Sequence, residues 1–180
     1  MKIRTGFVSN SSSSSFVIAL PHKPKDVEDL KKMLFGKQEW HYNSCAYGDE
    51  SSDVSTQTLA KNVFNKIKKK ATKQEILDSI QHGWFDAYMV PEIFPGYYRD
   101  SEKISHLSYQ HPEEREEIER IWSETEKINQ ERAMNIAEAF RTGHKDKYIV
   151  VMSFSDNDGE EIEEHSGIFN RVDHIRTSYH

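Results

Sequence analysis

Apolar positions along this chain change period several times, and each change marks an element. Phe16-Val17-Ile18-Ala19-Leu20 is a continuous apolar run stopped by Pro21, the pattern of a short buried strand. From Lys25 to Phe35 the period becomes helical: Val27, Leu30 and Leu34 share one face, Pro24 precedes them, and Gly36 stands where a helix commonly ends. A second helix is predicted to start near Ser55 or Thr56. Leu59, Val63 and Ile67 form its apolar face, with Lys61, Lys68 and Lys69 roughly opposite. Thr72 and Glu75 have the spacing of a capping box and open a third helix, with Ile76, Leu77 and Ile80 facing inward. Residues 37–57 follow no period. Residues 83–109 combine Gly83, Pro91, Pro95 and Gly96 with Trp84, Phe85, Tyr88, Phe94, Tyr97 and Tyr98, and read as an aromatic-rich loop region with short strands.

The longest predicted element runs from Pro112 to about Thr142. Pro112 suits the first helical position, and Glu113, Glu114, Glu116 and Glu117 favour the positive end of the helix dipole. Ile118, Ile121, Trp122, Ile128, Ile136, Ala137 and Phe140 largely keep helical spacing, and Gly143 ends the run. Lys147 to Phe154 is the clearest strand. Asp158-Gly159 then supplies a hairpin turn, with a return strand expected around Glu160 to Glu164 and a last strand around Val172 to Ile175. The order predicts an α+β protein with a small, mostly antiparallel sheet. The N-terminal strand would join the C-terminal hairpin, because an isolated hairpin is marginal in water. Helices would cover one face of that sheet. Residues 1–180 read as a single domain, with 112–142 as a long charged helix able to act as an arm.

Composition narrows the functional classes. With 24 Lys plus Arg against 30 Asp plus Glu, the net charge is −6, so no global positive field would draw in nucleic acid. The single Cys45 excludes an intrachain disulfide and suits a reducing compartment. Lys2 and Arg4 are followed by serines rather than an apolar segment, which does not fit a signal peptide, and no apolar run approaches a bilayer span. The expected setting is cytoplasmic, without membrane contact.

Ser11, Ser12, Ser13, Ser14 and Ser15 form the stretch that ordinary folding explains least. Four readings stand side by side. The serines could be a flexible tail, or they could extend the strand at Phe16. They could also be a loop whose hydroxyls and N–H groups cradle an anion, or a phosphorylation target. Phe7-Val8 before the tract and Phe16-Val17-Ile18 after it argue against a free tail.

A second group of candidates lies at the other end. Asp156, Asp158, Glu163, Glu164, His165, Asp173, His174 and His180 fall close together in sequence, and carboxylate with imidazole suits a transition metal or acid–base work. Asp156, Asp158, His165 and His174 are the candidate metal ligands, although the spacing matches no zinc signature. Ser155 to Gly159 is not an EF-hand loop: with Gly159 at its sixth position, Phe154 would occupy the first and His165 the twelfth. The competing reading of this cluster is a solvated, charged sheet face. The lysines between 61 and 73 likewise read as a solvated helix face, although they could touch phosphate.

Gly6-Phe7-Val8-Ser9-Asn10-Ser11-Ser12-Ser13-Ser14-Ser15-Phe16-Val17-Ile18 resembles the opening of a group of uncharacterised proteins from bacteria and their phages. Phe154-Ser155-Asp156-Asn157-Asp158-Gly159, Glu164-His165 and His174-Ile175-Arg176 resemble the close of the same group. The resemblance implies a bacterial or phage setting and termini that act together, and it supplies no catalytic residues and no cofactor.

Without a complete catalytic signature, the first expectation is a binding or regulatory protein that meets a protein partner, with the long helix available for self-association. The second is a metal-assisted or phosphate-dependent enzyme whose site joins the serines to the C-terminal Asp/His cluster.

Overall fold

A computed structural model describes residues 13–42, 53–81, 84–85, 107–108, 110–155 and 167–179. The elements in chain order are β1 (Ser13–Leu20), α1 (Val27–Phe35), β2 (Trp40–His41), β3 (Val54–Ser55), α2 (Thr56–Lys66), α3 (Lys73–Gln81), β4 (Trp84–Phe85), α4 (Pro112–Gly143), β5 (Tyr148–Ser155) and β6 (Asp173–Tyr179). The fold is α+β, as the pattern predicts. The main sheet has the order β4-β6-β1-β5 and is antiparallel throughout; β2 and β3 form a separate pair.

The N-terminal strand joins the C-terminal strands, but it does so by lying between them. β1 pairs with β5 on one side and β6 on the other, with Phe16 opposite both Met152 and Arg176. The expected return strand at 160–164 lies outside the described residues. β1 also starts three residues earlier than its apolar run, at Ser13.

Helices cover both faces of the sheet, not one. Phe16, Ile18 and Leu20 point to one face, where they meet Leu30 and Leu34 of α1, Leu59 and Val63 of α2, and Val150, Met152 and Phe154 of β5. Val17 and Ala19 point to the other face and meet Ile76 and Ile80 of α3 and Ala133, Ile136 and Ala137 of α4. A strand in the middle of such a layer must be apolar on both sides, which is why Phe16 to Leu20 does not alternate. Burying both faces of β1 is the main hydrophobic contribution of the N-terminal segment.

Local chemistry sets the helix ends. Asp26 caps α1 by accepting from the Asp29 N–H at 2.8 Å, and Gly36 closes it at φ +64°. The capping box forms: the Thr72 N–H donates to Glu75 Oε2 at 2.8 Å, and the Glu75 N–H donates back to Thr72 Oγ1 at 3.2 Å. The connection from α2 to α3 crosses from one face to the other around the β5 edge. There the Ala71 N–H donates to the Ile149 carbonyl at 2.8 Å.

The C-terminal half of α4 packs on α3, and Lys73 of α3 pairs with Glu138 at 3.3 Å. Trp122, Ile128 and Met134 of α4 are exposed. They stand six positions apart, so at about 100° per residue they lie on three different sides of the helix and form no single seam. Among the described residues, no helix is long and apolar enough to cross a membrane.

Candidate functional site

The alternation along β1 sends Ser15 to the same face as Val17 and Ala19. The register then sets Ser15 beside Ser153 of β5 and Thr177 of β6. Three hydroxyl side chains thus form one row across three strands, at the level where the apolar row of Val17, Val151 and Ile175 stops. Ser79 of α3 lies over the row. Its hydroxyl donates to Ser15 Oγ at 3.1 Å, and Ser15 Oγ shares a hydrogen bond with Ser153 Oγ at 2.8 Å. Thr177 Oγ1 donates to the Ser79 carbonyl at 2.8 Å, which ties α3 to β6. Ser15, Ser79 and Thr177 are buried, while Ser153 is open to solvent. Buried hydroxyls need such partners, because an unpaired one keeps its full desolvation cost.

Ser15, Ser79 and Ser153 form part of the lining of an open cleft of about 530 Å³ at the β5 edge. Lys66 at the end of α2 and Lys68 and Lys69 in the α2–α3 connection also line it, together with Glu75 and Asp78 of α3. Lys69 pairs with Glu75 at 2.9 Å. The Thr72 N–H, the Lys69 ammonium and the Thr72 hydroxyl hold the Glu75 carboxyl down at about 2, so it is ionised throughout the neutral range. Lys66 lies over the Phe154 ring, 5.3 Å from its centroid. Asp78 accepts from Gln74 at 2.7 Å.

The candidate serines therefore separate. Ser15 enters the cleft. Ser14 is buried on the opposite face, where its hydroxyl accepts from Arg176 Nη2 at 3.3 Å. Ser13 begins β1, and Ser11 and Ser12 lie outside the described residues. For Ser13 to Ser15 the strand-extension reading holds, and the tail reading does not.

His174 does not join Ser15. It stands opposite Ile18, three residues along β6 from Thr177, which is roughly 10 Å at strand spacing. Burial pushes its imidazole below the ordinary value, while Nδ1–H donates to the Val172 carbonyl at 3.0 Å. The ring lies beside Phe169 at a centroid distance of 5.9 Å. The other candidate ligands, Asp156, Asp158 and His165, lie outside the described residues, as does Cys45. Among the described residues, no three His, Cys, Asp or Glu side chains gather to hold a metal ion.

Ser79, Ser153 and Thr177 carried no signal in the sequence, since each is an isolated hydroxyl within an amphipathic element. Only the periodicity of Ser15 with Val17 and Ala19 pointed at the right face. Chemically, the cleft offers donors to an oxyanion: an exposed hydroxyl backed by buried ones, and ammonium groups. Among the described residues, Ser15 Oγ bonds to other hydroxyls and to the Met152 carbonyl at 3.4 Å. Among the described residues, no imidazole or carboxylate receives its proton, and a hydroxyl without a base is a weak nucleophile. No protein-family model, curated protein or solved structure matches the chain.

Proposed function

We propose that this chain is a non-enzymatic binding or regulatory protein, cytoplasmic and of bacterial or phage setting, whose cleft receives an anionic group of its partner. One observation supports the reading above others: the buried Ser15 hydroxyl, held within a chain of hydroxyls, reaches an open cleft with Lys66, Lys68 and Lys69 on its wall. Three ammonium groups share the lining with two carboxylates, and Lys69 and Glu75 engage each other, so the lining keeps a net positive charge. The balance favours an anion over a cation. Among the described residues no base stands beside Ser15, which favours binding over turnover.

The test is an NMR titration with inorganic phosphate and pyrophosphate against chloride at matched ionic strength. Selective shifts at Ser153 and Lys68 that saturate are expected, and Lys68→Gln with Lys69→Gln should weaken them. Equal, non-saturating shifts with chloride would refute the reading.

A further inference from the structure

Among the described residues, β5 is an outer strand of the main sheet, and its outward edge is only partly used. In an antiparallel ladder, the N–H and C=O of one residue point to the same side, and the sides alternate along the strand. The Ile149 carbonyl points away from β1, because it accepts from Ala71. The Met152 carbonyl points towards β1, because the Ser15 hydroxyl lies 3.4 Å from it. The N–H and C=O of Val151 and Ser153 must therefore also point outward. Both residues line the cleft, and among the described residues neither donates to nor accepts from another backbone group on that side. At Ile149 the α2–α3 connection occupies the edge like a single residue of a further strand. Beyond it, the edge opens directly into the space with Lys66, Lys68 and Lys69 on its wall.

We propose that an extended, acidic segment of a protein partner adds to β5 as a further strand, with its backbone on Val151 and Ser153 and its carboxylates facing the lysines. This rests on the anion-binding reading of the cleft and names what brings the anion. Backbone pairing supplies affinity without sequence preference, and the lysines select the charge, as in other strand-addition modes. An exposed edge invites promiscuous pairing, and charged side chains placed beside it filter what can approach. Here the filter is positive, although the whole chain carries −6, so an acidic strand is attracted locally to a protein that repels it globally.

The probe is a synthetic peptide of about eight residues, a common strand length, alternating Glu with Thr and Val. It is compared with the same peptide carrying Gln for Glu, with Lys for Glu, with phosphoserine for one Glu, with alternate backbone amides N-methylated, and with inorganic phosphate alone. The readouts are affinity by titration calorimetry and the exchange rates of the Val151 and Ser153 amides. The acidic peptide should bind at least about tenfold more tightly than the Gln version and slow both amides. The N-methylated peptide should lose binding, because one edge of its backbone can no longer donate. Lys68→Glu with Lys69→Glu, at exposed positions, should reverse the preference towards the Lys peptide.

Equal binding of the Glu and Gln peptides would overturn the proposal, as would undiminished binding of the N-methylated one. A phosphopeptide that binds while the Glu peptide does not would also overturn it, in favour of a phosphorylated partner. If inorganic phosphate binds and no peptide protects Val151 or Ser153, strand addition is wrong and the anion cleft survives. If neither phosphate nor any peptide binds, both are wrong.

Discussion

Replacing Ser15 by Ala tests whether the end of the serine run is part of the fold. The substitution removes one hydroxyl that bridges Ser153 Oγ at 2.8 Å and Ser79 Oγ at 3.1 Å. The two losses differ. Ser153 is exposed, so water replaces its partner at little cost. Ser79 is 6% exposed and loses an acceptor in a place water does not readily reach. Ala fits the space without overpacking, so the expected cost is that of the lost bond from Ser79 to Ser15, about 1 kcal/mol. For a chain of 180 residues this lowers Tm by roughly 2–4 °C. Ser153→Ala should cost less than about 0.5 kcal/mol, the usual effect of a surface substitution. Denaturant unfolding and calorimetry of both variants and of the double variant would measure these costs. If Ser15→Ala matches the unsubstituted protein, or costs no more than Ser153→Ala, then Ser15 is not buried in a hydroxyl network and the argument for the cleft fails.

Three further outcomes follow from local geometry. The Glu75 carboxyl, held at about 2 against an ordinary 4.5, stabilises the fold fully above pH 4.5 and loses that contribution as the pH falls towards 2; a carboxyl titration by NMR with a midpoint near 4.5 would contradict the capping-box bonds. His174 is held neutral by burial, so its contribution is present above pH 6.5 and is lost as the pH falls below it; imidazole carbon shifts that titrate above 6.5 would refute its packing beside Phe169. Gly36→Ala places a side chain at φ +64°, 3.2 Å from the Arg171 guanidinium carbon, and should cost about 1 kcal/mol. The added variant Arg171→Ala should not restore that loss in a thermal melt, because the backbone strain remains.

Much of the secondary structure was legible from short-range chemistry. Thr72 and Glu75 announced α3 because a capping box is closed within one helical turn. Pro112 and the glutamates after it announced α4 for the same kind of reason: their partners are the N–H groups of the adjacent turn. The start of β1 was less legible, since Ser13 to Ser15 have no strand propensity of their own. They are extended because β5 and β6 pair with them on both sides. Trp40–His41 and Val54–Ser55 form a two-residue pair inside a stretch that follows no period, because their pairing partner is distant in sequence.

The sequence by itself determined that Phe16 to Leu20 is a short buried strand, that three amphipathic helices and one long charged helix accompany it, and that no complete catalytic motif is present. Those properties depend on residues within a few turns or strand steps of one another. The tertiary structure alone decided that helices occupy both faces, that β1 lies between β5 and β6, and that Ser15 meets Ser79, Ser153 and Thr177 rather than His174. These are consequences of register, and a shift of one residue would have turned Ser15 to the opposite face. Register is set by the summed burial of two apolar cores, a long-range quantity that no local pattern around the serines contains.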